Sequence, residues 1–278
     1  MNIRTVCFSL LTLCACSALF AGCAPKKVFA PGMDGPDKAY AVFKDAYCAP
    51  PQGKSLVVSA SLYYTRVKPT KRSNRTVIRL WGDFARPLRL DVAAGMGRML
   101  THIREDDGGL TAYYPDQKAA YTHPYPVVGA QRLGMPFPFP LRDLALMLGG
   151  SYAELLPYPP HEAIRSAKGF EYTFNQGPVT RLLLDGWARP VRMEGITQFK
   201  NRPTLHWSID FNRYPETGTA PQPNMISLQL ETGEKGVLHI KSRELKQQAW
   251  PEQKLDLPLP EGTELFDLDG HRPTEEKP

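Results

Sequence analysis

Six histidines, five cysteines and scattered carboxylates are the groups here that could do chemistry, and their spacing decides whether they do. The histidines stand at 102, 123, 161, 206, 239 and 271, and no two have the spacing of a zinc pair on one helix face. Gly149-Gly150-Ser151-Tyr152-Ala153 lacks the second glycine of a nucleophile elbow. Gly95-Met96-Gly97-Arg98-Met99-Leu100 lacks the third glycine of a dinucleotide loop, and it joins two strand-like segments where that loop needs a following helix. The acidic runs Glu105-Asp106-Asp107 and Glu275-Glu276 read as a turn and a tail. The expectation is no enzyme, no catalytic or metal site and no cofactor, with a hydrolase of unrecognised site as the remaining enzymatic alternative.

The elements that would position any site are mostly strands. Ser55 to Thr65 alternates cleanly, with Leu56, Val58, Ala60, Leu62 and Tyr64 on one face. From Thr76 to Arg104 three strand pieces follow, the second carrying Leu88, Leu90 and Val92 and the third Met99, Thr101 and Ile103. Between the last two, Gly95 and Gly97 flank Met96, and glycine reaches the backbone angles of a tight turn without steric cost. This predicts a hairpin with Met96 at an exposed apolar tip; the alternative is a loop whose methionine folds back onto the sheet. Further strands are expected at Leu110–Tyr114, Ala119–Thr122, Phe170–Phe174, Val179–Leu184, Val191–Phe199, Leu205–Phe211, Met225–Glu231 and Gly236–Leu245. Helical spacing predicts helices at Asp37–Cys48 and Leu141–Leu148. Arg66 to Arg75 reads as a solvated connection, and the prolines of His123 to Pro140 argue against regular structure there. The sum is a mainly β chain: a curved antiparallel half-barrel of about ten or eleven strands, with helices covering its open or concave side.

The 278 residues carry 42% apolar side chains, enough for a sizeable core, and a net charge of +6 spread along the chain. A diffuse excess of this size argues weakly for an anionic surface or partner, and no basic and aromatic stripe of a nucleic-acid module is present.

The N-terminus is the most specific signal. Asn2, Ile3 and Arg4 form a short basic start and Val6 to Phe20 an apolar run, the layout of a secretion signal and too short for a membrane span. Its end, Leu19-Phe20-Ala21-Gly22-Cys23, resembles the bacterial lipobox, although Phe20 stands where leucine is usual. That resemblance implies a lipoprotein signal peptide over 1–22 and diacylglycerol plus an N-acyl lipid such as palmitate on Cys23. An ordinary signal cleaved nearby is the alternative. Two or three acyl chains, at ~0.8 kcal/mol per buried methylene, hold a protein stably where one does not. Residues 23–36 then form a flexible tether. With Cys7, Cys14 and Cys16 in the signal, Cys48 is left alone and reads as a small buried hydrophobe.

Three stretches resemble the LolA/LolB family of outer-membrane lipoprotein-sorting factors, its LolB-like branch most closely. They are Leu88 to Thr122 with the Ala94-Gly95-Met96-Gly97 tip; Met135-Pro136-Phe137-Pro138 through Leu141, Leu144 and Leu148-Gly149; and Asp210-Phe211-Asn212-Arg213-Tyr214 through Pro223-Asn224-Met225 and Val237-Leu238-His239-Ile240-Lys241. The resemblance implies a lipid-binding half-barrel over 37–250, a C-terminal extension over 251–278, and a monomer lipid-anchored at the periplasmic face of the outer membrane. Such a protein accepts lipoproteins from a periplasmic carrier, holds their acyl chains in an apolar cavity and inserts them into the outer membrane. Ala24 after the lipidated cysteine fits outer-membrane sorting. Leu56, Val58, Leu62, Leu90, Leu144 and Leu148 are the cavity candidates, each of which core packing would also explain. Met96, Gly95, Gly97 and Met99 form the membrane-inserting loop. The alternative function keeps the fold as an envelope sensor or scaffold that binds a protein partner.

Overall fold

A computed structural model describes residues 29–85, 87–95, 97–135, 137–199, 202–216, 218 and 221–270. Among them run fourteen strands: β1 (Ser55–Arg66), β2 (Arg72–Asp83), β3 (Leu88–Ala94), β4 (Met99–Asp106), β5 (Gly109–Tyr114), β6 (Ala119–His123), β7 (Glu162–Ser166), β8 (Gly169–Thr173), β9 (Val179–Leu184), β10 (Pro190–Phe199), β11 (Arg202–Asn212), β12 (Met225–Leu230), β13 (Lys235–Lys246) and β14 (Glu264–Asp267). All belong to one sheet, ordered β14-β6-β5-β4-β3-β2-β1-β13-β12-β11-β10-β9-β8-β7. Every pairing is antiparallel except β14 on β6, and the two halves of the chain meet along the β1–β13 ladder. Among the described residues four α-helices accompany the sheet, α1 (Pro36–Tyr47), α2 (Pro126–Arg132), α3 (Leu141–Leu148) and α4 (Glu252–Leu255), with a 3₁₀ turn at Pro115–Gln117.

The sheet is open but rolled. Eight strands separate β6 from β10 in the order, which in a flat sheet at ~4.8 Å per strand would put them about 43 Å apart. Yet residues from both line one pocket. Twist accumulated strand by strand brings the two regions together. On the concave side α3 is buried nearly all round, through Leu141, Leu144, Ala145, Leu146, Met147 and Leu148. Beside it α1 buries only the stripe of Ala39, Phe43 and Tyr47, as its helical spacing predicts. Aromatic rings carry the packing across: Tyr40 lies 5.1 Å from Tyr172, and Tyr152 stands edge-on to Phe211 at 5.5 Å.

Several expectations change. The strand count is fourteen, because β7 and β14 are mostly exposed edge strands with no buried face to generate an alternating pattern. Arg72–Arg75 belong to β2 as a paired ribbon whose residues are all exposed, which is why they read as a connection. Within His123–Pro140 a helix forms after all: Pro126 occupies its first turn, where a missing N–H costs nothing, and the next eight residues hold no proline. Glu105 is no turn residue. It is fully buried on β4, and its carboxylate accepts the backbone N–H groups of Leu141 at 2.8 Å and Arg142 at 3.2 Å. It thereby caps α3, whose preceding residue Pro140 offers no side-chain cap.

The described part of the C-terminal extension straps the outer face. Just before it Trp250 stands edge-on to Trp81; within it the Leu255 carbonyl accepts Arg104 Nε at 3.1 Å and the Asp256 carbonyl accepts from Arg89. The chain then adds β14 to the edge at β6.

Candidate functional site

The β3–β4 hairpin forms as its glycines require. Ala94 N–H donates to the Arg98 carbonyl at 2.8 Å, Gly97 N–H donates to that of Ala94 at 2.9 Å, and Gly97 sits at φ +84°. Gly95 and Gly97 are exposed, and a methyl group on either would meet nothing within 4 Å, so the turn projects freely. Met99 is half-buried opposite Ala93. Met96 and Cys23 lie outside the described residues.

The six cavity candidates come together, but as packed core. Leu56, Val58, Leu62, Leu90, Leu144 and Leu148 are all buried in one cluster with α1 and α3, and none lines a pocket described below. Accessible space lies instead in surface pockets, two of which meet at the seam where the rolled sheet fails to close. One pocket of about 480 Å³ lies between the segment 138–140 and β10, lined by Pro138, Phe139, Leu155, Ile196 and Trp207 and, on its polar side, by Asp143, Asn175 and Gln176. A second, of about 510 Å³, continues between α2 and the end of β10 and is lined by Tyr125, Val128 and Phe199. Both share Val127, Thr197 and Gln198.

Local chemistry holds this seam in shape. Thr197 Oγ1 donates to the Pro138 carbonyl at 2.7 Å and receives Trp207 Nε1 at 3.2 Å. Phe139 stands edge-on to the Trp207 ring at 6.0 Å. Gly195 makes room for that ring, since a Cβ there would lie 2.3 Å from Trp207 Cζ2. At the α2 end the pocket turns polar. Arg132 Nη2 lies 2.6 Å from Asp269 Oδ1, Arg132 Nη1 donates to the Leu268 carbonyl at 2.7 Å, and buried His123 Nε2 lies 3.2 Å from Asp269 Oδ2. The tail thus closes one side of the mouth. The sequence signal for the seam was the Met135–Pro140 run, an extended apolar segment that had to lie against something; its partner, Trp207, is remote in sequence.

Other groups with chemical potential are occupied structurally. His102 Nδ1 lies 2.8 Å from Asp91 Oδ1 on the outer face, and His239 packs edge-on to Tyr63 at 5.3 Å. Burial pushes the Cys48 thiol up to about 11, far from a reactive thiolate. Among the described residues no group of three or more His, Cys, Asp or Glu is placed to hold a metal ion. No helix among them is long and apolar enough to cross a membrane.

Fold and seam together define a class: a single rolled, open antiparallel sheet with helices packed into its concave side. A DUF1329 family protein from Desulfovibrio piger shares this fold with a TM-score of 0.50 at 10% identity, over 80% of this chain and all 100% of that one. A LolA superfamily protein from Nitrosomonas europaea matches at 0.49 with 14% identity, over 79% and 97% of the two chains. A Vibrio parahaemolyticus domain described as an outer membrane lipoprotein-sorting protein matches at 0.49 with 11% identity, over 80% and 96%. At these identities the likeness is one of fold. No protein-family model matches the chain, and no curated protein matches it in sequence.

Proposed function

We propose that this chain is a non-enzymatic, lipid-anchored envelope protein that shelters acyl chains at the seam between α2, the 138–140 segment and β10. In this reading a periplasmic carrier hands it lipoproteins, which it delivers to the outer membrane as a monomer held by the lipids on Cys23. The β3–β4 tip meets the bilayer; burying the Met96 side chain in lipid is worth ~1.5–3 kcal/mol, enough for transient insertion. The observation that carries the proposal is the seam itself, where two pockets that share Val127, Thr197 and Gln198 meet, with Val127, Phe139, Ile196 and Phe199 on their walls. Pockets of this size and lining suit an apolar ligand. The test is transfer of a lipoprotein from a soluble carrier to vesicles by the lipidated full chain. Transfer that persists unchanged in both Met96→Glu and Val127→Arg would reject the reading.

The packed inner face favours a second reading. With Leu56, Val58, Leu62 and Leu90 in the core, no wide cavity lies beneath the sheet at these residues. The same fold would then serve as an envelope sensor or scaffold that binds a protein partner, and the domain would take up no acyl probe.

A further inference from the structure

The basic stretch after β1 has no role in the seam. Arg66, Lys68, Lys71, Arg72 and Arg75 are all exposed, the segment 66–75 contains no acidic residue, and none of these five makes an ion pair among the described residues. They are held on a ribbon. The β1–β2 ladder runs out to Arg66↔Arg72, whereas the β2–β3 ladder ends at Thr76↔Ala94. Four residues of β2 therefore reach past the last pair with β3, about 13 Å at ~3.3 Å per residue. The ribbon adjoins the β3–β4 hairpin at the same end of the sheet, since β2 pairs with β3. On it the Arg75 guanidinium lies over the ring of Tyr63, 5.6 Å from its centroid, and that ring is 43% exposed. The carboxylates on the neighbouring β12–β13 turn form no ion pair with these five residues among the described ones: Glu231 accepts the His206 N–H at 3.1 Å, and Glu234 is bonded to Thr232.

We propose that the β1–β2 hairpin is a docking arm for a bilayer surface carrying anionic phospholipid, set beside the β3–β4 tip. The distribution of charge selects a bilayer over an acidic protein. Side chains alternate along a strand, so Arg72 and Arg75 point to opposite faces of the ribbon while Lys68 and Lys71 occupy its end. Charge on every side suits a fluid array of headgroups. A protein interface needs one face with an apolar centre, and within 66–75 the only aliphatic side chain beyond threonine and proline is Val67. A bilayer also explains the pairing of elements, with basic side chains for headgroups next to a turn that projects freely. The inference uses the membrane tether of the function proposed above but not the seam.

The test uses the lipidated full chain in phosphatidylcholine vesicles with and without phosphatidylglycerol. Its readouts are amide exchange over 66–75 and acylation of Lys68 and Lys71 by an impermeant amine reagent. With phosphatidylglycerol both slow by about fivefold or more, and raised salt abolishes the effect. Lys68→Gln/Lys71→Gln/Arg72→Gln changes only exposed side chains, so it melts like the parent; read by amide exchange alone, it loses the protection, its surface affinity falling roughly 100-fold at about fivefold per charge. Equal rates in the two vesicle types, or protection that appears only when an acidic protein is added, would overturn the inference. Acyl-probe uptake is read in the same samples. Protection lost with uptake intact rejects the arm alone, and uptake absent with protection intact rejects the seam alone.

Discussion

Thr197 Oγ1 on β10 donates to the Pro138 carbonyl at 2.7 Å, joining residues 59 apart in sequence across the opening of the sheet. The same oxygen receives Trp207 Nε1, so one hydroxyl fixes the strand, the proline segment and an aromatic wall of the pocket. Thr197→Val keeps the shape and removes the hydroxyl, leaving the indole N–H of a buried tryptophan without this acceptor. The expected cost is about 1–3 kcal/mol. At roughly 2–4 °C per kcal/mol for a chain of this size, the melting temperature falls measurably. An unchanged melt would remove the hydroxyl from this role.

Glu105→Ala tests the cap on α3. The carboxylate is fully buried and takes two backbone N–H groups at the N-terminus of a helix that is itself core. Hydrogen bonds to a charged group contribute about 1.5–3 kcal/mol, and losing them uncaps the buried helix. Denaturant titration should show a stability loss of at least that size. A loss below about 0.5 kcal/mol, the range of ordinary surface substitutions, contradicts the assignment.

Gly195→Ala tests the floor beneath Trp207. The added carbon would lie 2.3 Å from Trp207 Cζ2 and 2.3 Å from the Pro178 carbonyl oxygen, so ring and backbone must both move. Overpacking of this kind costs about 1–3 kcal/mol. Tryptophan emission should shift together with the melt; a lower melt with unaltered emission would mean the strain falls elsewhere.

Alkali should destabilise the fold. Burial raises the Cys48 thiol to about 11 and the phenols of Tyr40 and Tyr47 to about 12, and it raises Tyr152 and Tyr214 further in the same direction. These acids ionise in the unfolded chain from about pH 8.5 for the thiol and about pH 10 for the phenols. Above those values the folded state binds more protons than the unfolded one, so stability is full below about pH 8.5 and falls as pH rises toward 12. Urea midpoints measured across this window should drop steadily. A midpoint that stays level or climbs would contradict the burial of these groups.

How much the sequence discloses depends on whether a residue's environment is local. Period-two alternation located β1 and β3 because Leu56 and Val58, and Leu88 and Leu90, alternate into the core, and helical spacing located α1 through Ala39, Phe43 and Tyr47. The glycines around position 96 disclosed the turn because its backbone geometry is a property of those residues alone. The edge strands β7 and β14 were invisible, since pairing without burial leaves no hydrophobic pattern. The leucines singled out for a cavity lie in the core because alternation reports which face is covered but not what covers it. The helix packed against β3 is α3, which itself carries Leu144 and Leu148 and is held by Glu105 from 36 residues away. The seam was hidden for the same reason: it exists only where the roll of the sheet brings α2 and β10 together.

The seam is tested most directly by equilibrium binding of a fluorescent fatty-acyl probe to the lipidated full chain, read by energy transfer from its four tryptophans, of which Trp207 lines the pocket. Val127 is half-buried at the shared wall of the two pockets, so Val127→Arg places a charge in the opening without disturbing the core. The parent chain is expected to bind the probe with efficient transfer, and Val127→Arg to bind it at least about tenfold more weakly, the equivalent of roughly 1.4 kcal/mol. A probe that fails to bind the parent chain, or that binds Val127→Arg as tightly, would contradict acyl-chain shelter at the seam.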